Sequence, residues 1–252
     1  MPGNIEGNLH AEVINDSGHQ SIYNGTVVQN YGHSAGRAKF IGEVLRPVQG
    51  ATYQGSKFLA QCHQGTRKDV IKALQDWVDL DGQPPICWLS GPAGYGKSAI
   101  SRTIAETYDN QKRLLGNVFF RRGYDDKQHI GRLIPSLSHQ LYHNLPKSQD
   151  SIHRAIDAVR DINTLSLEAQ FRKLIIEPIQ ATRKGIAALI PLSRRIIIID
   201  ALDECDDKDQ MKAFIDAIIH IFQTKLKLHL RILITSRVEE VGAREISLFT
   251  ER

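Results

Sequence analysis

Two rhythms of apolar residues run along this chain, and they predict an alternation of helices and strands. Behind Thr66-Arg67-Lys68-Asp69, which reads as a capping-box-like start, Val70, Leu74, Trp77 and Val78 recur at helical spacing. Asp81-Gly82-Gln83-Pro84-Pro85 ends that helix. Downstream, short apolar runs at 86–90, 116–121, 195–200 and 230–235 predict strands. Between them the pattern predicts helices over 98–108, 133–143, 151–159, 167–176 and 208–222. The last is the clearest, with Met211, Phe214, Ile215, Ile218, Ile219 and Phe222 expected on one core-facing stripe. Ile86 to Leu89 and Ile196 to Ile199 are apolar at every position, as in a strand covered on both faces. That implies a three-layer α/β fold with a central, mainly parallel sheet. The sequence shows no internal repeat.

The first 36 residues have another character. They contain no Lys or Arg, only three acids (Glu6, Glu12, Asp16), and many Asn and Gly. Two β-prone runs flank Asn24-Gly25, a strong hairpin signal. An isolated hairpin is marginal in water, so the segment reads either as a flexible tail or as one that orders by pairing with copies of itself. Residues 37–61, punctuated by Pro47, Gly50 and Gly55, read as a linker. The expected organisation is a low-charge, Asn/Gly-rich N-terminal segment (1–40), a linker and lead-in helix (41–84), an α/β core (85–240) and a short end (241–252).

Composition narrows the functional classes. The net charge of +4 arises from dispersed residues with no block of like charge, so nucleic acid is not an expected partner. Three widely spaced cysteines (Cys62, Cys87, Cys205) form no C-x-x-C pair, which fits a reducing compartment. The N-terminus lacks the basic and apolar regions of a secretory signal. The longest apolar runs, Ile186 to Leu192 and Ile196 to Ile199, fall far short of a membrane span. A cytoplasmic protein is expected.

Chemistry concentrates in three segments. Gly91-Pro92-Ala93-Gly94-Tyr95-Gly96-Lys97-Ser98 matches G-x-x-x-x-G-K-[ST], directly after an apolar strand and directly before a helix. Glycines let such a loop turn its N–H groups inward, and the new helix presents its positive end to phosphate. Lys97 would reach the β- and γ-phosphates, and the Ser98 hydroxyl would ligate Mg²⁺. Four isoleucines then deliver Asp200 to the carboxyl end of a central strand, where it can hold Mg²⁺ opposite Ser98; Asp203 and Glu204 follow on the exit loop, in reach of an attacking water. A third apolar strand delivers Thr235, Ser236 and Arg237 to the same edge. A guanidinium there can read γ-phosphate charge.

Together, G-P-A-G-Y-G-K-S, I-I-I-I-D-A-L-D-E-C and I-L-I-T-S-R resemble the NACHT subgroup of the STAND P-loop ATPases, above all the NACHT domains of fungal NOD-like receptors. Cys62 to Arg67, the helix with Trp77, and Gly116 to Arg122 resemble segments of those domains too. The resemblance runs from about residue 60 to 240. It implies ATP or ADP held by Gly91 to Ser98 and the adjoining Ala99, Mg²⁺ on Ser98 and Asp200, and hydrolysis served by Lys97, Asp203, Glu204 and Arg237. It also implies an adenine contact from the segment before the loop, for which Arg67 is the candidate. Such proteins act as switches: ADP holds a closed monomer and ATP permits opening and assembly, so self-association or other NOD-like-receptor proteins are the implied partners. In fungi the family is linked to non-self recognition and cell death, a form of innate immunity, and some members carry N-terminal segments that template amyloid-like assembly. Family members continue into a helical and winged-helix lid and a repeat sensor. The chain stops fifteen residues after Arg237, so a fragment, a truncated paralogue or a short protein working with partners is expected, with slow catalysis in a poorly closed site.

Other readings are weaker. The nucleotide could merely stabilise an adaptor that signals through its N-terminal segment. A GTPase lacks its [NT]-K-x-D motif, because Thr66-Arg67-Lys68-Asp69 carries an extra residue; a helicase lacks an aromatic–basic platform. His139 and His143 have metal-binding i, i+4 spacing but no third ligand, and read as a solvated face. Arg121-Arg122, after the second strand, could approach phosphate but reads more readily as surface charge. The acids from Asp203 to Asp207 lack the glycine and terminal Glu spacing of a calcium loop.

Overall fold

A computed structural model describes residues 10–15, 18–23, 26–30, 34–55, 62, 66–122, 129–159, 161–182, 193–224, 228–237 and 249–250. The chain divides into two compact units, Met1–Arg46 and Pro47–Arg252.

In the first unit, β1 (His10–Asn15), β2 (Gly18–Tyr23) and β3 (Thr26–Asn30) form an antiparallel meander. The expected hairpin is its second half: Tyr23 pairs with Thr26 across Asn24-Gly25, a turn that itself lies outside the described residues. Strand β1 was not expected. Nor was α1 (Ser34–Leu45), which occupies the first part of the expected linker. Ile41 and Leu45 stand four apart on it and are both fully buried, and Pro47 follows where the helix has stopped.

The second unit is built on a parallel sheet. Strands β4 (Ile86–Ser90), β5 (Leu114–Phe119), β6 (Arg195–Asp200) and β7 (Leu230–Ser236), with the short β8 (Phe249–Thr250), stand in the order β5-β6-β7-β4-β8. Every described pair is parallel. One strand, β7, therefore separates β4 from β6, and the carboxyl ends of all three meet along one edge. The apolar runs do what their composition dictates. Ile196 to Ile199 and Ile232 to Ile234 are buried at every position. Helices flank the sheet as a three-layer α/β arrangement compatible with a P-loop nucleotide-binding core.

Six helices were read within a few residues of their ends or better: α2 (Lys68–Asp79), α3 (Lys97–Asn110), α4 (Leu133–Asn144), α5 (Gln149–Asp157), α6 (Leu167–Phe171) and, after α7 (Glu177–Ala181), α8 (Lys208–Gln223). Between α6 and α7 the helix widens into a π-turn, Arg172–Ile176. Pro178 lies just beyond and has no N–H for the carbonyl four residues back, which is where the regular ladder breaks. On α8 the deepest residues are Met211, Phe214, Ala217, Ile218 and Ile221; Ile215, Ile219 and Phe222 are only half-buried, so the core stripe is rotated from the expected one. Asp207 caps α8 by accepting from the Gln210 N–H at 2.9 Å.

The start of α2 departs from the expected capping box. Arg67, not Thr66, is the N-cap, in the left-handed conformation (φ 56°) and without a side-chain cap bond. A Thr cap requires an extended cap residue followed by helix. The left-handed turn instead directs the Arg67 guanidinium to the carbonyl of Tyr95, at 3.1 Å. Strand β5 begins two residues earlier than expected, and Gly116 within it lets α4 lie close: an added Cβ would stand 3.1 Å from Leu137. The edge of β5 is covered, since Ala51 O accepts from the Phe119 N–H and Asn117 Oδ1 from the Tyr53 N–H. The segments 63–65 and 186–192 lie outside the described residues, as does the end at 241–252 apart from β8. Among the described residues no helix is long and apolar enough to cross a membrane.

Candidate functional site

The loop from Gly91 to Gly96 joins β4 to α3 and bends back on itself. Gly94 and Gly96 both have φ of 82°, a region a side chain resists, so the two glycines are a requirement of the backbone path. Gly96 is the N-cap of α3 and brings no side chain to cap it. The first N–H groups of a helix have no intrahelical acceptor, and here no side chain caps them at the positive end of the dipole. Lys97 lies folded over the loop. Its ammonium donates to Gly91 O at 2.6 Å and Pro92 O at 2.8 Å.

Asp200 ends β6 almost fully buried, at 1% exposure. Its Oδ1 accepts from the Ser101 hydroxyl at 2.8 Å and from the Thr235 hydroxyl at 2.6 Å, and Ser98 also hydrogen-bonds the carboxyl group. Burial pushes its pKa above the usual carboxylate value; the three hydroxyl donors oppose that. Ala201 next to it is left-handed (φ 53°), and its N–H donates to Thr235 Oγ1, so the strand turns sharply into the short 3₁₀ turn Leu202–Glu204.

Asp203 and Glu204 on that turn meet Arg237 at the end of β7. Asp203, 3% exposed, accepts from the Arg237 main-chain N–H at 3.2 Å and pairs with its Nε at 3.4 Å. Glu204 pairs with Arg237 Nη2 at 3.5 Å. The Lys208 ammonium donates to the Asp203 carbonyl. Burial lowers the pKa of Lys97; the charges of Asp203, Asp200 and Glu204 raise it, and that of Arg237 lowers it. All four groups therefore lie within electrostatic reach of the lysine.

Nearly every sequence-predicted site residue thus converges on one edge of the sheet: the loop Gly91 to Ser98 with Ala99 behind it, Asp200, Asp203, Glu204 and Arg237. Arg67 joins through Tyr95, itself half-exposed on the loop. Four contributors escaped sequence reading. Ser101 follows Ser98 by one helical turn, and that i, i+3 spacing was the available signal. Trp88 donates its indole N–H to Ser236 Oγ at 2.7 Å inside the sheet. Lys208 carried no signal. Arg122, read as surface charge, gives its main-chain N–H to Glu204 Oε2 at 3.0 Å. His139 and His143 lie with rings 4.8 Å apart on α4, and no group of three or more potential ligands holds a metal among the described residues.

The model of one known family, described as nephrocystin 3, N-terminal, matches residues 65–237. The chain belongs to that family. The match begins just before Arg67 and ends on Arg237, so the nephrocystin 3 N-terminal region holds the whole of the assembled edge. No curated protein and no solved structure matches the chain.

Proposed function

We propose that this chain binds Mg²⁺-ATP at the loop Gly91 to Ser98 and works as a slowly hydrolysing, NACHT-type signalling switch. The observation that carries the reading is the pairing of a glycine-enforced loop with a buried carboxylate: Gly94 and Gly96 shape the loop, and Asp200 stands two strands away at the same sheet edge. The donor set suits the ligand. An uncapped helix start and an ammonium favour phosphate, whereas Ser98 and Asp200 offer two hard oxygens to a small divalent cation.

The roles follow from the chemistry of each group. Lys97 exchanges the Gly91 and Pro92 carbonyls for β- and γ-phosphate oxygens, which carry more charge. Ser98 and Asp200 would hold magnesium, which when bound neutralises phosphate charge. A cation there also favours the ionised form of Asp200, which burial otherwise opposes. Asp203 and Glu204 orient water, Arg237 meets the γ-phosphate, and Arg67 the adenine. The finer reading is a NOD-like-receptor role resembling the fungal proteins, in non-self recognition or cell death, in the cytoplasm, with assembly controlled by nucleotide.

ATP turnover and thermal shift with Mg²⁺, in the wild-type chain and Lys97→Ala, test this. Slow turnover that Lys97→Ala abolishes supports the switch, as does growth in particle size on replacing ADP by a non-hydrolysable ATP analogue. A second reading is favoured by the separate N-terminal unit with its own sheet: an adaptor signalling through that unit. It prevails if nucleotide raises the melting temperature but neither protein turns over ATP. Calorimetry that detects no uptake of ATP or ADP by folded protein overturns both.

A further inference from the structure

Glu204 fastens the ends of three neighbouring strands. It leaves β6, the middle one. Its Oε2 accepts from the N–H of Arg122, just past β5, and its Oε1 pairs with Nη2 of Arg237, just past β7. Asp203 treats Arg237 differently: it holds both the main-chain N–H and Nε, from a side chain only 4% exposed. The main chain and Nε of Arg237 are thereby held, whereas its side chain remains 44% exposed and its Nη2 is joined to Glu204 only by a long contact in partial solvent. An ion pair of that kind is worth at most about 1 kcal/mol. A phosphate oxygen offers a guanidinium shorter, bidentate and more highly charged contacts. Arg237 lies close enough for its charge to be felt at Lys97, the residue that reaches for the same phosphate.

We propose that Glu204 is an internal competitor for Arg237, so that a nucleoside triphosphate draws the guanidinium off Glu204 and a diphosphate does not. This rests on the nucleotide reading above and adds its regulation. Release changes two things at once. Glu204 loses its cationic partner, and the now uncompensated carboxylate accepts more strongly from the Arg122 N–H at the end of β5. The γ-phosphate is thus reported two strands away without any part of β5 touching it.

The test is a double-mutant cycle on the full chain. Affinities for ADP and for a non-hydrolysable ATP analogue, both with Mg²⁺, are measured by calorimetry in wild type, Glu204→Gln, Arg237→Ala and the double variant. Glu204→Gln keeps an acceptor for Arg122 and removes the charge. It is expected to raise the ratio of analogue to ADP affinity about two- to fivefold, the equivalent of an exposed ion pair. In the Arg237→Ala background the same change is expected to leave the ratio unaltered, because nothing remains to compete for. An equal gain in both backgrounds means simple carboxylate–phosphate repulsion and overturns the proposal; so does no gain in either. Hydrogen exchange at the Arg122 amide supplies a second readout, slower with the analogue than with ADP, and equal or faster rates overturn the link to β5. If the wild type binds neither nucleotide, the nucleotide reading falls and takes this one with it. Binding of ADP and the analogue with an uncoupled cycle sinks only the competition.

Discussion

The hydroxyl of Thr235 stands between two main-chain-linked neighbours: it donates to Asp200 Oδ1 at 2.6 Å and accepts from the N–H of Ala201 at 2.9 Å. One side chain on β7 thus holds both the buried carboxylate of β6 and the left-handed residue that turns the chain away from it. Thr235→Val keeps the shape but leaves a half-buried N–H and a buried carboxylate short of a partner. Each such orphan costs about 1–3 kcal/mol. The variant is expected to melt about 5–10 °C lower for a unit of this size. Thr235→Ser, which keeps the hydroxyl, should recover most of that loss in a thermal melt.

Asp200 makes a prediction of opposite sign. Its folded pKa is raised above the ordinary value of 3.8, and burial is the largest cause. A raised carboxyl contributes stability below 3.8 that is lost as pH rises through its folded value, so at pH 7 its charge works against folding. Asp200→Asn keeps an acceptor for Ser101 and Thr235 and cannot ionise. It should melt above wild type at pH 7, with the gap closing on acidification towards pH 4. The same variant should lose the magnesium dependence of nucleotide binding. A lower melting temperature at pH 7 would show that the hydroxyl donors outweigh the burial.

Gly96 and Gly131 separate conformation from crowding. A Cβ at either meets nothing within 4 Å, yet only Gly96 has a positive φ. Gly96→Ala is expected to cost about 1–2 kcal/mol through backbone strain alone. Gly131→Ala should fall within about 0.5 kcal/mol of wild type. Denaturant titration distinguishes them, and equal effects would mean that the loop glycine is not needed for its conformation.

Which features were legible in the sequence follows from where their causes lie. Ile196 to Ile199 announced a strand covered on both faces because burial on both sides leaves no polar position. The loop Gly91 to Ser98 was legible because its φ angles admit few residues but glycine, and Asp200 because an acid after four isoleucines has only the strand end to occupy. Arg122 was not legible: it acts through a main-chain N–H that every residue but proline carries, so its side chain announces nothing. Helix α1 was missed since its apolar positions are few and its segment is rich in small residues. The left-handed Arg67 was missed because its conformation answers to Tyr95, 28 residues away, and Thr66 in front of it mimics a cap. Long-range partners decide such positions, and the local pattern does not contain them.

Three arginines meet the far end of α2: Arg194 donates to Asp79 O at 2.8 Å, Arg113 pairs with the Asp79 carboxylate at 2.6 Å, and Arg231 is the most buried of them. Arg231, on β7, donates from Nε to Trp77 O at 3.2 Å, from Nη1 to Gln83 O at 2.9 Å and from Nη2 to Leu80 O at 3.1 Å. These are carbonyls of the last turn of α2 and of the chain leaving it, which the helix itself cannot satisfy. Burial lowers the arginine's pKa to about 10, so it remains charged at neutral pH and its three bonds are charge-assisted. The helix carries Arg67 at its other end, where the guanidinium donates to the Tyr95 carbonyl in the loop Gly91 to Ser98. Arg231→Met fills the space and strands three carbonyls, with an expected loss of about 3 kcal/mol or more. Arg231→Lys restores the charge without the planar fork and should recover only part of it. Because the anchor is remote from the loop, the Met variant, at a temperature where it is still folded, should keep its affinity for inorganic tripolyphosphate while losing affinity for ATP, if Arg67 meets the base. Equal losses for both ligands would place Arg67 with the phosphates instead.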